Sequence, residues 1–223
     1  MSNPSAATRD EARQNMVDNQ LRANKVHDDR VLDAFLCLQR ELFVPPGLRG
    51  VAYIDEDLPV APGRCLMEPM VAARLLQALA VQPKDAALVV GAGAGYEAAA
   101  LGLLARSVIA LEDDPELARL GRSALVDHRI ASVTYVEAPL AGGHRARAPY
   151  DVILFGGAAA AVPEEISAQL TEGGRLGVVL REPGSVGRAT LITRTGAVLA
   201  QRVIFDAATP LLPGFEAEPG FVF

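Results

Sequence analysis

Three glycines spaced two apart, Gly91-x-Gly93-x-Gly95, follow the apolar run Ala87-Leu88-Val89-Val90 and lead straight into an Ala/Leu-rich stretch from Tyr96 to Leu104. In a strand, glycine turn and helix arranged this way, the backbone approaches a ligand closely and the first helical amides face it with partial positive charge. The dinucleotide fingerprint needs its third glycine one position later, where this chain has Tyr96, so pyrophosphate is not the expected ligand. Glu112 closes the next apolar run, Ser107-Val108-Ile109-Ala110-Leu111. It stands roughly 20 residues beyond the turn, where an acid accepts both hydroxyls of a ribose. Turn and acid together predict a nucleoside-containing cofactor. Other reactive groups are sparse. Cys37 and Cys65 form no CxxC pair, and His27, His128 and His144 are scattered, so no metal site is expected. Cys65 has only Arg64 beside it to lower its pKa and is not expected to act as a nucleophile.

The elements that must position these groups are legible in the apolar pattern. From about Glu11 to Phe43 the spacing of Met16, Gln20 and Leu21, then Val31, Leu32, Phe35, Leu36 and Leu38, predicts two helices, with Asp28 or Asp29 capping the second. Val44-Pro45-Pro46-Gly47 ends it, and the Pro/Gly-punctuated stretch from Leu48 to Met67 reads as irregular. Glu68-Pro69 opens a further helix. Short apolar runs at 87–90, 107–111, 133–136, 150–155 and 175–180 then alternate with helices at 96–104, 115–125 and 163–170, the last broken by Gly173-Gly174. Residues 189–193 and 198–205 read as a hairpin about Thr195-Gly196. The expected fold is α/β: a mostly parallel sheet covered on both faces, with an antiparallel pair at its end.

Composition narrows the class further. A chain of 223 residues with half of them hydrophobic, no Trp, 4 Tyr and 7 Phe builds its core from small aliphatics, which suits helix-on-sheet packing. The net charge of −6 argues against a nucleic-acid or anionic-membrane binder. Apolar runs stop well short of the roughly 20 residues of a membrane span. The opening MSNPSAATRDEARQ has no apolar signal-peptide core, and with two cysteines the expected compartment is the cytoplasm.

Beyond these features the chain resembles the protein-L-isoaspartate O-methyltransferases from about Met16 to Gly214. Met16-Val17-Asp18-Asn19-Gln20-Leu21 is similar to that family's opening helix, and Arg40-Glu41-Leu42-Phe43-Val44-Pro45 to its RExFVP step. Ala52-Tyr53-Ile54-Asp55-Glu56-Asp57-Leu58-Pro59 resembles AYxDxxLP, and Gly91 to Tyr96 resembles GTGSGY. Ala148-Pro149-Tyr150-Asp151-Val152-Ile153 is similar to APYDxI, and Val162-Pro163 with Gln169-Leu170 and Gly173-Gly174-Arg175-Leu176 to VP…QLxxGGRL.

The resemblance implies a Rossmann-like, seven-stranded methyltransferase sheet with an antiparallel strand near its end, preceded by an N-terminal helical segment. Residues 1–67 would form that segment with a substrate-side loop, and 68–223 the cofactor-binding part of one compact domain. It implies S-adenosyl-L-methionine, held by Val90, Gly91, Ala92, Gly93, Gly95, Tyr96, Glu112, Asp113, Glu137, Ala138 and Pro139. The implied methyl acceptor is an isoaspartyl or other carboxylate of a protein or peptide, and the implied state is a monomer or homodimer. Four positions depart from the family pattern. Val89 replaces the acid before the first glycine, and Ala138 replaces the aspartate of Gly-Asp-Gly. Met67 takes the serine position of the TISQP loop, followed by Glu68. Met67 and Glu68 are thus the candidate catalytic positions, Glu68 either repelling an anionic acceptor, receiving a cationic one, or only favouring the helix dipole. An acceptor carboxylate with pKa near 4 is already ionised at neutral pH and needs no general base. Catalysis is then mainly positioning. A second reading is a degenerate homologue serving as a binding or regulatory module. A third, an NAD-dependent oxidoreductase, lacks both the third glycine and a hydride-site His or Tyr/Lys pair.

Overall fold

The computed structural model describes residues 6–217; the first five residues of the polar opening lie outside them. Helix α1 (Ala6–Asn15) continues as a π-helical turn (Met16–Leu21) that buries Met16, Val17 and Leu21. Helix α2 (Asp29–Cys37) begins at Asp28, whose carboxylate accepts the Arg30 N–H as an N-cap. Two 3₁₀ turns, Arg40–Phe43 and Pro46–Val51, lead to a small antiparallel hairpin, β1 (Leu58–Ala61) and β2 (Arg64–Leu66). The stretch read as irregular therefore contains two short strands. Pro59, Pro62 and Gly63 hid them, since proline and glycine mark turns in a composition reading.

Helix α3 (Pro69–Leu79) opens with proline at its first turn, and the remaining elements alternate. They are β3 (Ala86–Val90), α4 (Tyr96–Leu104), β4 (Ser107–Glu112), α5 (Pro115–Asp127), β5 (Val133–Glu137), β6 (Tyr150–Ala159), α6 (Glu164–Ser167), β7 (Leu170–Leu180), β8 (Gly187–Thr195) and β9 (Val198–Ala207). The main sheet has the order β5-β4-β3-β6-β7-β8-β9. Pairs from β5 to β7 are parallel, and β8 runs against both of its neighbours. This is the expected seven-stranded methyltransferase sheet with one reversed strand near its end.

Two elements differ in extent from the sequence reading. Strand β6 continues through Gly156 and Gly157 to Ala159, and β7 starts at Leu170 and runs through Gly173-Gly174. The helix before β7 shrinks to Glu164–Ser167. A side chain at Gly156 would collide with the Gly91 carbonyl and one at Gly157 with Leu212, so that pair serves close approach, not chain breaking.

The pleat of β3 sorts the core by alternation. Ala87 and Val89 face the cluster that includes Met16, Phe35, Phe43, Leu76 and Tyr96; Leu88 and Val90 face Ile153, Phe155, Leu176 and Leu212. Strand order reverses about β3 and β6, which opens the ligand crevice of such sheets at the carboxyl ends of those strands. In register, Val90 lies beside Leu111 and Phe155, and Glu112 beside Glu137, so the glycine turn, Glu112 and Glu137 gather at that edge.

Candidate functional site

Gly91, Gly93 and Gly95 all have positive φ, +71°, +56° and +87°, which explains why glycine recurs at every second position. The turn is stitched to β4 by Gly91 and Ala92 N–H donating to the Leu111 carbonyl at 3.0 and 2.9 Å. From β5 the Tyr135 hydroxyl donates to the Gly93 carbonyl at 3.0 Å and fills the space a side chain at Gly95 would take. Tyr135 is thus a support of the turn that the linear pattern did not single out. It lies 42 residues away and reads there as an ordinary strand aromatic.

Glu112 is fully buried at the end of β4. Its Oε1 accepts the N–H groups of Asp113 at 3.0 Å and Asp114 at 2.9 Å. Its Oε2 accepts the Gly93 N–H and the Arg64 Nη2–H. The Arg64 side chain is 5% exposed, and its Nη1 reaches Asp113 Oδ1 at 3.2 Å. Burial pushes the Glu112 pKa upward, opposed by Arg64 and the Asp114 and Gly93 amides. Four donors leave no place for its own proton, and the carboxylate is held ionised. Arg64 is the residue that sequence reasoning passed over. Its signal was present: it is the only charge between Leu58 and Met67.

The remaining predicted positions are scattered around this centre. Asp113 is half-exposed, Glu137 pairs with Arg122 at 2.7 Å on the surface, Ala138 donates its N–H to the Glu112 carbonyl at 3.2 Å, and Pro139 is exposed. Tyr96 is fully buried on the other side of the turn. Its ring packs edge-on against Phe35 and Phe43, each with centroids 5.4 Å away, and lies under the Arg40 guanidinium at 4.7 Å. Val89 and Met67 are fully buried.

Arg40, also fully buried, donates to the Ala52 carbonyl at 2.7 Å and the Met67 carbonyl at 2.6 Å, fixing the loop that carries Met67 and Glu68. Glu68 donates its N–H to Asp57 Oδ1 at 2.7 Å. Burial, then Asp55, Asp57 and Glu56, push its carboxyl up to about 7. Burial pushes the Cys65 thiol up to about 12, in line with an unreactive thiol. Among the described residues no group of His, Cys, Asp or Glu is arranged to hold a metal ion, and no helix is long and apolar enough to cross a membrane.

Glu97, in the first turn of α4, is 4% exposed, and its Oε1 has no partner among the described residues. Burial pushes its pKa up to about 7, with Arg40 opposing. A carboxyl raised in the fold binds its proton more tightly than in the unfolded chain. Stability is therefore greatest below about pH 4.5 on this group's account and falls as pH rises through about 7. Glu97→Gln is expected to stabilise the protein by about 2–3 kcal/mol at pH 8 and by little at pH 4.5. Urea denaturation at both pH values checks this, and an equal effect at the two would refute it.

A model of the family described as protein-L-isoaspartate(D-aspartate) O-methyltransferase matches residues 11–203. The chain is 36% identical over 194 residues to the protein-L-isoaspartate O-methyltransferase of Koribacter versatilis (strain Ellin345), spanning 87% of this chain and 86% of that protein. It is 39% identical over 192 residues to the enzyme of that name from Methylorubrum extorquens (strain PA1), spanning 84% and 82%. Its fold is similar to that of a Plasmodium falciparum protein assigned by name to the same family and solved in complex with S-adenosyl-L-homocysteine. The TM-score is 0.76 at 20% identity, over 92% of this chain and 97% of that one.

Proposed function

The chain belongs to the protein-L-isoaspartate O-methyltransferase family, and from that premise we propose that it is an enzyme methylating isoaspartyl carboxylates of protein or peptide, with S-adenosyl-L-methionine as methyl donor. The observation that carries this reading is the left-handed glycine turn hydrogen-bonded through Gly93 to the buried carboxylate of Glu112, at the carboxyl edge of β3 and β4. That arrangement suits an adenosyl nucleoside: Glu112 is the acid at the place where ribose hydroxyls would be accepted once one of its present donors gives way, and a side chain at Gly93 would meet nothing within 4 Å. The space beside it is taken by the chain's own Arg64 and Leu212, whose methyl carbons lie 2.9 Å from where a Gly91 side chain would begin. The cofactor supplies a methyl group on a sulfonium, which a carboxylate oxygen takes in forming an ester while sulfur keeps the electron pair.

The rest is the work of the chain. Val90, Gly91, Ala92, Gly93 and Gly95 form the floor, Glu112 and Asp113 face the ribose, and Glu137, Ala138 and Pro139 flank the base. Tyr96 supports the turn from its buried side. Residues 1–67 would form the N-terminal helical segment with the substrate-side loop and 68–223 the cofactor-binding part, with Glu68 at the boundary and Arg64 reaching across it to Glu112. Met67, with no hydroxyl, orients nothing by hydrogen bonding and contributes a dry apolar wall. The negative net charge and the pair of free cysteines support a cytoplasmic protein over a nucleic-acid or membrane binder.

Appearance of a base-labile methyl ester on an isoaspartyl peptide tests the reading; none at high enzyme and cofactor concentration would overturn it. Glu68 sets its pH dependence. Its neutral form, favoured below about pH 7, tolerates an incoming carboxylate, and its ionised form repels it. kcat/KM is expected to fall about 3- to 10-fold from pH 6 to pH 8, the size of a like-charge term of about 1 kcal/mol. Glu68→Gln should flatten that profile; an unchanged profile would remove Glu68 from the acceptor side.

A further inference from the structure

We propose that Arg64 is an internal gate, occupying the cofactor acid Glu112 until an adenosine-type ligand displaces it. The proposal rests on the cofactor reading above and adds a device that the reading does not contain. A carboxylate has about four lone-pair sites, and all four of Glu112's are taken. Ribose hydroxyls cannot bond to it unless a donor leaves. Three of the donors are backbone N–H groups fixed in place: Asp113 and Asp114 belong to the capped start of α5, and Gly93 to the turn stitched onto β4. The fourth is a side chain. Arg64 comes from β2 of the two-stranded hairpin, which lies outside the main sheet and makes no strand pairing with it.

The guanidinium also has somewhere to go. Its Nη1 is already 3.2 Å from Asp113 Oδ1, and Asp113 is 45% exposed, so a turn of the side chain toward solvent keeps one ion pair and frees Glu112. The same Arg64 Nη2 lies 3.5 Å from the side-chain position at Gly91, so its departure also removes one of the two side chains that crowd the glycine turn, the other being Leu212. The surface partner gives the guanidinium an ion pair in the open position as well as the closed one.

A gate lowers apparent affinity by the fraction of molecules that are open. Calorimetric titration of S-adenosyl-L-homocysteine into the wild-type chain and into Arg64→Gln should show the variant binding about tenfold more tightly or better. In the wild type, the guanidinium ¹H–¹⁵N NMR signals of Arg64, protected while the group is buried, should shift and lose that protection as the ligand saturates. Equal or weaker binding by Arg64→Gln overturns the gate and leaves the cofactor reading standing. Absence of binding by both chains overturns the cofactor reading and the gate with it. Should Arg64→Gln fail to fold, the wild-type spectrum decides: Arg64 signals unmoved at saturating ligand overturn the gate.

Discussion

Glu112→Gln is expected to destabilise the protein by about 3–5 kcal/mol, the cost of breaking a buried ion pair by removing one partner. Glu112 is 0% exposed and Arg64 5%, so water does not replace the contact while the guanidinium stays in place, and its one way out is the turn toward Asp113. The effect is asymmetric. If Arg64 is removed, Glu112 retains three N–H donors and is able to take up a proton. Without Glu112, Arg64 cannot shed its charge at any ordinary pH and keeps only Asp113. The single variant at 112 is therefore expected to lose more than a single variant at 64. Adding Arg64→Met to Glu112→Gln should recover part of the loss, because the buried cation left without its partner is gone, while the amide at 112 still has only one oxygen for the N–H groups of Gly93, Asp113 and Asp114. Urea denaturation of the two singles and the double measures all three quantities. A loss under about 1 kcal/mol for Glu112→Gln would show that the pair is not held as a buried one.

Arg40→Met is expected to cost a similar amount, about 3–6 kcal/mol, from two hydrogen bonds to a charged donor at about 1.5–3 kcal/mol each. Two carbonyls, those of Ala52 and Met67, lose their donor in a fully buried place. The Tyr96 ring loses the cation over its face as well. The loss should also depend on pH. Arg40 opposes the burial that raises Glu97, so without it the Glu97 carboxyl rises further above about 7. The wild type gains from the Arg40–Glu97 attraction only where Glu97 is ionised, and the variant should lose more at pH 8 than at pH 5. Arg40→Lys should recover only part, since an ammonium cannot span both carbonyls in the fork geometry of a guanidinium. A pH-independent loss would uncouple Arg40 from Glu97.

Much of this architecture was readable from local pattern. The bounds of α4 follow from a glycine turn before it and an Ala/Leu run through it, and Tyr96–Leu104 is the helix that forms. Asp28 and Pro115 mark helix starts for reasons internal to a few residues: one side chain accepts a free N–H, and the other has no N–H to strand. The hairpin of Leu58–Ala61 and Arg64–Leu66 escaped that pattern because strands of four and three residues are too short to show alternation. Strand β6 ran past its expected end for a different reason. Gly156-Gly157 resembles a loop by composition, and only the Gly91 carbonyl packed against it, with Leu212 beside it, shows why no side chain is admitted.

The candidate site divides along the same line. The glycine spacing and Glu112 belong to two neighbouring strand–turn units, so their meeting at one sheet edge follows from parallel pairing of adjacent β-strands, which a linear pattern encodes. The partners that decide the state of that site come from far along the chain. Arg64 reaches Glu112 across 48 residues and Tyr135 reaches Gly93 across 42. Leu212 closes on Gly91 from beyond the last strand. No periodicity or propensity relates such residues, because their contact is set by packing of separate elements about a common core. By itself, the sequence determined that this protein builds a nucleoside crevice with an acid in it. Only the tertiary structure decided that the acid is saturated by the protein's own donors, since saturation depends on which lone pairs are reached in space.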